Sequence, residues 1–195
     1  MSTNTLVLSI CLAAWASVSF GQETATLDVL FQQLLSPTAT DKAAQTLLKR
    51  GTSDPATRTY LSTHLPRVIE AGGNGAGRQW LNAVRLAGQL RISEAAPALS
   101  KWISFEMGET SMAIFSRLDG NPAGKALSQI GDPAIPAVVN VLTTGNDRER
   151  RNAYLVLYNI HTDRGKATLH EYAAREPDPQ MRQFAVKLAG SSRAP

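Results

Sequence analysis

Apolar residues recur at three- and four-residue spacing along most of the chain. Ala153, Val156, Leu157 and Ile160 form one such stripe, Ile135, Val138, Val139 and Leu142 a second, and Met181, Phe184 and Leu188 a third. This period places apolar side chains on one face of a helix, and no alternating apolar–polar run is long enough for a strand. Toward the N-terminus, 26–36 and 41–51 read as an antiparallel helix pair joined at Ser36-Pro37, with Gly51 as a C-terminal stop. A helix over 54–73 follows, and Pro66 is expected to break or kink it by removing a hydrogen bond and crowding the preceding turn. Asp54-Pro55, Asp132-Pro133 and Asp178-Pro179 each fit a helix start, and Asp147 fits the same role before residues 148–160. An aspartate caps free N–H groups there, and proline at the first helical position loses no bond. The pattern predicts about ten helices after residue 21.

The stripes repeat. Leu127, Leu157 and Leu188 are 30 and 31 residues apart. Residues 84–103 show the same arrangement upstream, a leucine-rich helix end, a polar break, then Ala96-Pro97-Ala98-Leu99. Leu86 to Leu127 is 41 residues, so this interval carries an insertion within 104–121. A two-helix unit of about 30 residues cannot bury its apolar stripe alone, whereas stacked copies bury theirs as one continuous core.

Ala126-Leu127, Ile130-Gly131-Asp132-Pro133 and Ala134-Ile135-Pro136-Ala137 resemble the HEAT-repeat family in its short bacterial form. Asp178 with Arg182 and Ala185 matches the start of the family's next helix, and Asp147 with Arg151 matches more weakly. The resemblance covers roughly residues 77–190 and departs from the pattern at 104–121 and at Tyr154, where a small residue is usual. It implies an all-α fold, an α-solenoid in which antiparallel helix pairs wind into a right-handed superhelix. It also implies an inter-repeat ladder carried here by Asp132, Asp147, Arg151, Asp178 and Arg182.

Residues 6–20 are uncharged and apolar, with Ser19 and Gly21 placed before Gln22 as a signal peptidase requires, although no Lys or Arg precedes the run. The run is short of the roughly 20 residues of a membrane span. The expectation is a signal peptide at 1–21 cleaved near Gly21/Gln22, and a periplasmic or secreted chain. The rest divides into N-terminal helices at 22–71, a glycine-rich joint at 72–77, repeats at 78–190 and a tail at 191–195. Cys11 is the sole cysteine and would leave with the leader. Ile10 is not the small residue that lipidation at Cys11 needs. The mature chain therefore has no disulfide framework and no cysteine-ligated zinc.

With 43% hydrophobic and 18% charged residues the composition is globular. A net charge of +4 is modest and spread along the chain. The glycine run at 72–77 has the gap of a phosphate-gripping loop, but Arg78 and Gln79 stand where lysine and a hydroxyl are needed, so it reads as a joint. His64, His161 and His170 include no pair at i and i+4, and no G-x-S-x-G elbow appears. No catalytic group, cofactor or metal is assigned.

The expected function is non-catalytic, a surface offered to a protein or peptide partner. Lys101, Asn140, His170 and Arg175 would line a concave face formed by second helices. Arg148 and Arg150, with Arg151, form a basic cluster suited to phosphate, nucleic acid or an acidic partner, or else a solvated face. Two alternatives stand beside this: binding of an anionic polymer or surface through the basic residues, and an enzyme whose site is assembled across repeats.

Overall fold

The computed structural model describes residues 26–72, 77–107, 118 and 120–191. The chain is all-α, with no strand among the described residues. Helix α1 covers 26–35. It is followed by α2 (Thr40–Ser53), α3 (Pro55–Ala71), α4 (Arg78–Gln89), α5 (Ala96–Ser100), α6 (Pro122–Ile130), α7 (Ile135–Thr144), α8 (Asp147–Asn159), α9 (Asp163–Arg175) and α10 (Pro179–Ser191). Short 3₁₀ turns, Ser93–Ala95 and Asp132–Ala134, lead into α5 and α7. None of the described helices is long and apolar enough to cross a membrane. The expected leader, most of the glycine-rich joint, most of the 104–121 insertion and residues 192–195 lie outside the described residues.

Local chemistry explains the helix starts. Asp54 caps α3, its carboxylate accepting from the backbone N–H of Ala56 and Thr57 at 3.0 and 3.1 Å. Asp178 likewise accepts from Met181 N–H at 2.7 Å at the head of α10. Two of the expected caps differ. The α8 cap is Asn146, which forms a reciprocal capping box with Glu149, so Asp147 is already the first helical residue. Asp132 makes no cap at all. Its carboxylate instead accepts the hydroxyl of Thr162, the cap of α9, 30 residues on.

Two expected helix breaks also fail. Helix α2 runs through Gly51 to Ser53, and Gly51 is buried. A Cβ there would lie 2.7 Å from Leu90 Cδ1, so the position is small because the end of α4 presses on it. Helix α3 continues through Pro66 to Ala71. Leu61, Leu65 and Ile69, on both sides of the proline, are fully buried on one face. Their burial, about 1.5–3 kcal/mol for each side chain, offsets the cost of the hydrogen bond lost at Pro66.

The even-numbered helices contact one another in chain order: α2 with α4, α4 with α6, α6 with α8, and α8 with α10. The odd-numbered α3, α5 and α7 do the same, and neighbours in sequence such as α7 and α8 or α9 and α10 also touch. A single buried core runs from Leu27 and Phe31 through Leu86, Leu127 and Leu157 to Leu188. The glycine-rich stretch is bridged on both sides, by Trp80 Nε1 donating to the Ile69 carbonyl at 3.1 Å and by an Arg78–Asp41 ion pair at 3.1 Å. Buried asparagines supply further cross-links. Asn82 of α4 donates to Asp41 at 2.8 Å and to Thr40 at 3.1 Å. Asn121 and Asn152, from α6's cap and from α8, both donate to the Ile103 carbonyl.

Candidate functional site

The largest collection of the sequence's candidate residues falls between α8 and α10. There Tyr158, Gln180, Gln183, Phe184, Lys187, Leu188 and Ser191 line an open groove of about 490 Å³. Asp147, Arg148, Arg151, Asp178, Gln180, Met181 and Phe184 line a neighbouring one of about 410 Å³. Gln180 and Phe184 belong to both, so the two are lobes of one cleft. These volumes fall in the range of about 300–1,000 Å³ typical of ligand clefts. On α10, Ala185, Leu188 and Ala189 are buried, while Met181 and Phe184 stay half exposed and line the cleft. The stripe that the sequence assigns to the core thus serves partly as a cleft wall.

The arginine cluster divides into three roles. Arg148 reaches Glu106 at 2.9 Å. Arg150 turns inward, its side chain only 18% exposed, and bonds Asp147 at 3.0 Å and Glu176 at 3.3 Å. Arg151 lies over the Phe184 ring, 5.1 Å from its centroid. Only Arg151 of the three has no carboxylate partner among the described residues, so residues 148–151 are not a free basic patch.

Glu176, between α9 and α10, is 3% exposed. A carboxylate so buried must be paired and hydrogen-bonded. Arg150 provides the charge, Tyr154 donates its hydroxyl at 2.9 Å, and the Asp178 amide donates at 3.2 Å. Burial first, and then the Glu176 carboxylate, push the Tyr154 phenol well above its ordinary range. This network ties α8 to the α9–α10 turn and fixes one wall of the cleft. It also explains why tyrosine stands at 154, since its hydroxyl reaches a partner 22 residues away. No sequence signal marked Glu176, Lys187 or the roles of Tyr158 and Phe184.

The remaining candidates are spread out. Lys101, in the turn after α5, pairs with Glu70 of α3. Asn140 is exposed on α7, and its carbonyl accepts the hydroxyls of Thr143 and Thr144 at 2.9 and 2.8 Å. His170 is exposed on α9, and Arg175 pairs with Glu171 one turn back at 2.8 Å. Among the described residues no hydrogen bond or ion pair joins Lys101, Asn140, His170 and Arg175 to one another.

The five ladder residues make no aspartate–arginine rung between units. Asp132 takes Thr162, Asp147 takes Arg150 within its own helix, Asp178 caps α10, Arg151 takes Phe184, and Arg182 points a guanidinium nitrogen at the Pro177 carbonyl 3.5 Å away. The polar cross-links between helices come instead from Thr162, Asn82, Asn152 and the Arg150–Glu176–Tyr154 network. No cluster of three or more His, Cys, Asp or Glu side chains with a metal-holding arrangement occurs among the described residues.

No protein-family model matches the chain. No curated protein matches it either.

Proposed function

We propose that this is an exported, non-catalytic binding protein, a short HEAT-like α-solenoid that holds a protein or peptide partner. The serial contact of α2, α4, α6, α8 and α10 carries the reading, because stacking of like helices leaves open clefts between them. Clefts of this kind lie between α8 and α10 and between α2 and α4, the latter about 630 Å³ and lined by Asp41, Arg78, Asn82 and Arg85 among others. Such a surface gains affinity from several modest contacts set along a rigid support. The matching 3₁₀-to-helix starts, Ser93–Ala95 into α5 and Asp132–Ala134 into α7, support the repeat reading. Each has a proline second in the following helix, Pro97 and Pro136.

Export of the mature form from Gln22 would present these clefts outside the cytoplasm. The test immobilises that form and exposes it to the extracytoplasmic fraction of its own cells. The expected result is a defined protein retained at moderate salt and lost with Phe184→Ala. Retention of nothing, or of polyanions alone with steep loss as salt rises, would contradict the proposal.

A further inference from the structure

The charges around the α8–α10 cleft do not balance. Two acids line it: Asp147 is paired with Arg150 at 3.0 Å, while Asp178 accepts the N–H of Met181 at 2.7 Å and keeps its charge, one negative group against two unpaired cations. Arg148 is engaged by Glu106. Arg151 and Lys187 remain, exposed and with no carboxylate partner among the described residues. Arg151 is also held in place, its guanidinium over the Phe184 ring at 5.1 Å, which reduces the entropy lost when it binds an anion. A guanidinium so placed keeps its N–H edge for a carboxylate, which it can grip through two parallel bonds. Between the two cations runs an apolar floor of Tyr158, Met181, Phe184 and Leu188.

From this we infer that the cleft between α8 and α10 is the docking site for an acidic, amphipathic peptide segment of a partner protein. Apolar side chains of the segment lie on Tyr158, Phe184 and Leu188, and its carboxylates meet Arg151 and Lys187. An aromatic residue beside an arginine at the centre of a cleft is the arrangement found where binding energy concentrates. A nucleic acid or a polyanion lacking apolar groups would satisfy the two cations and leave the floor uncovered. The inference rests on the protein-binding reading above and adds the place and the chemistry of the partner.

The test measures fluorescence anisotropy of the mature chain with a short labelled peptide of glutamate and leucine. A lysine–leucine peptide and a polyglutamate peptide of equal length serve as comparisons. The glutamate–leucine peptide should bind saturably and more tightly than either. Arg151→Glu and Lys187→Glu, both surface changes that leave the helical circular dichroism spectrum intact, should each weaken it about tenfold or more. Arg67→Glu, at an exposed position of α3, should leave it unchanged. Absence of saturable binding, an equal loss with Arg67→Glu, or equal affinity for polyglutamate would each overturn the inference. A partner captured as above and still held by the Arg151→Glu and Lys187→Glu variants would overturn this site while leaving the broader reading in place.

Discussion

Glu176 shows how a single buried charge can organise its surroundings. It sits at 3% exposure with Arg150, the Tyr154 hydroxyl and the Asp178 amide as partners, and Arg150 is the one that balances its charge. Glu176→Gln should lower stability by roughly 2–3 kcal/mol in urea unfolding, less than for a fully enclosed pair because Arg150 keeps 18% side-chain exposure. A loss under about 0.5 kcal/mol would show that the pair contributes little.

The tyrosines make a second residue-scale prediction. Tyr60 and Tyr154 are both pushed above the ordinary phenol value, each by burial first and then by a carboxylate, Asp28 and Glu176 respectively. Because the folded chain resists losing these protons, their contribution is fully present below about pH 10 and is lost as pH rises beyond it. The urea midpoint should therefore fall as pH rises above about 10, and Tyr60→Phe and Tyr154→Phe should each flatten that fall. An unchanged slope in both variants would refute the linkage. No local pattern marks this chemistry, since an acid at 176 and a tyrosine at 154 become partners only when α8 meets the end of α9.

At the scale of elements, capping was legible wherever the aspartate had no competing partner. Asp54 and Asp178 read correctly because a carboxylate one residue before a proline-led helix finds N–H groups within its own turn. Asp132 has the same local sequence and serves Thr162 instead, a long-range bond that no local rule contains. Asp54→Ala should cost about 1 kcal/mol at neutral pH. Its carboxyl is held below the usual value, first by the Thr57 hydroxyl and then by backbone N–H groups. The stabilisation from Asp54 is thus present above about pH 4 and disappears as pH falls through the lowered value. Wild type and Asp54→Ala should then converge in thermal midpoint on acidification, and a constant gap would contradict this.

Glycine was misread as helix punctuation at Gly51, through which α2 continues, because contact points are illegible from sequence. Gly88 lies inside α4, and a Cβ there would stand 2.9 Å from the Ala126 backbone of α6. Helix propensity favours alanine over glycine by up to about 1 kcal/mol, while overpacking against a backbone costs about 1–3 kcal/mol. Gly88→Ala should therefore destabilise on balance, and a stabilised variant would mean that α4 and α6 can move apart freely.

For the whole molecule, the all-helical class followed from the 3.6-residue period and the absence of alternating runs. The helices α2, α4, α6, α8 and α10 touch in chain order, and the period near 30 residues is what supports the proposal that they do so as stacked repeats. Hydrophobic spacing is a local quantity, so it survives reading from sequence. Which polar residues cross from one helix to another depends on register, and that is why the partners of Thr162, Asn152 and Glu176 are set only by the folded chain. The cleft follows from packing of the same kind: small residues of α10 are buried, while Phe184 and Arg151 line the open space beside α8.

Native-state hydrogen exchange on Leu188→Ala tests the serial arrangement most directly. Leu188 is 5% exposed at the C-terminal end of the core, and its truncation should remove about 2–5 kcal/mol locally. In a stack whose units hold only their neighbours, protection falls in α9 and α10 while α2, α3 and α4 keep theirs. An equal loss of protection from α2 through α10 would mean that one indivisible core holds the chain, and the stacked-repeat account would be wrong.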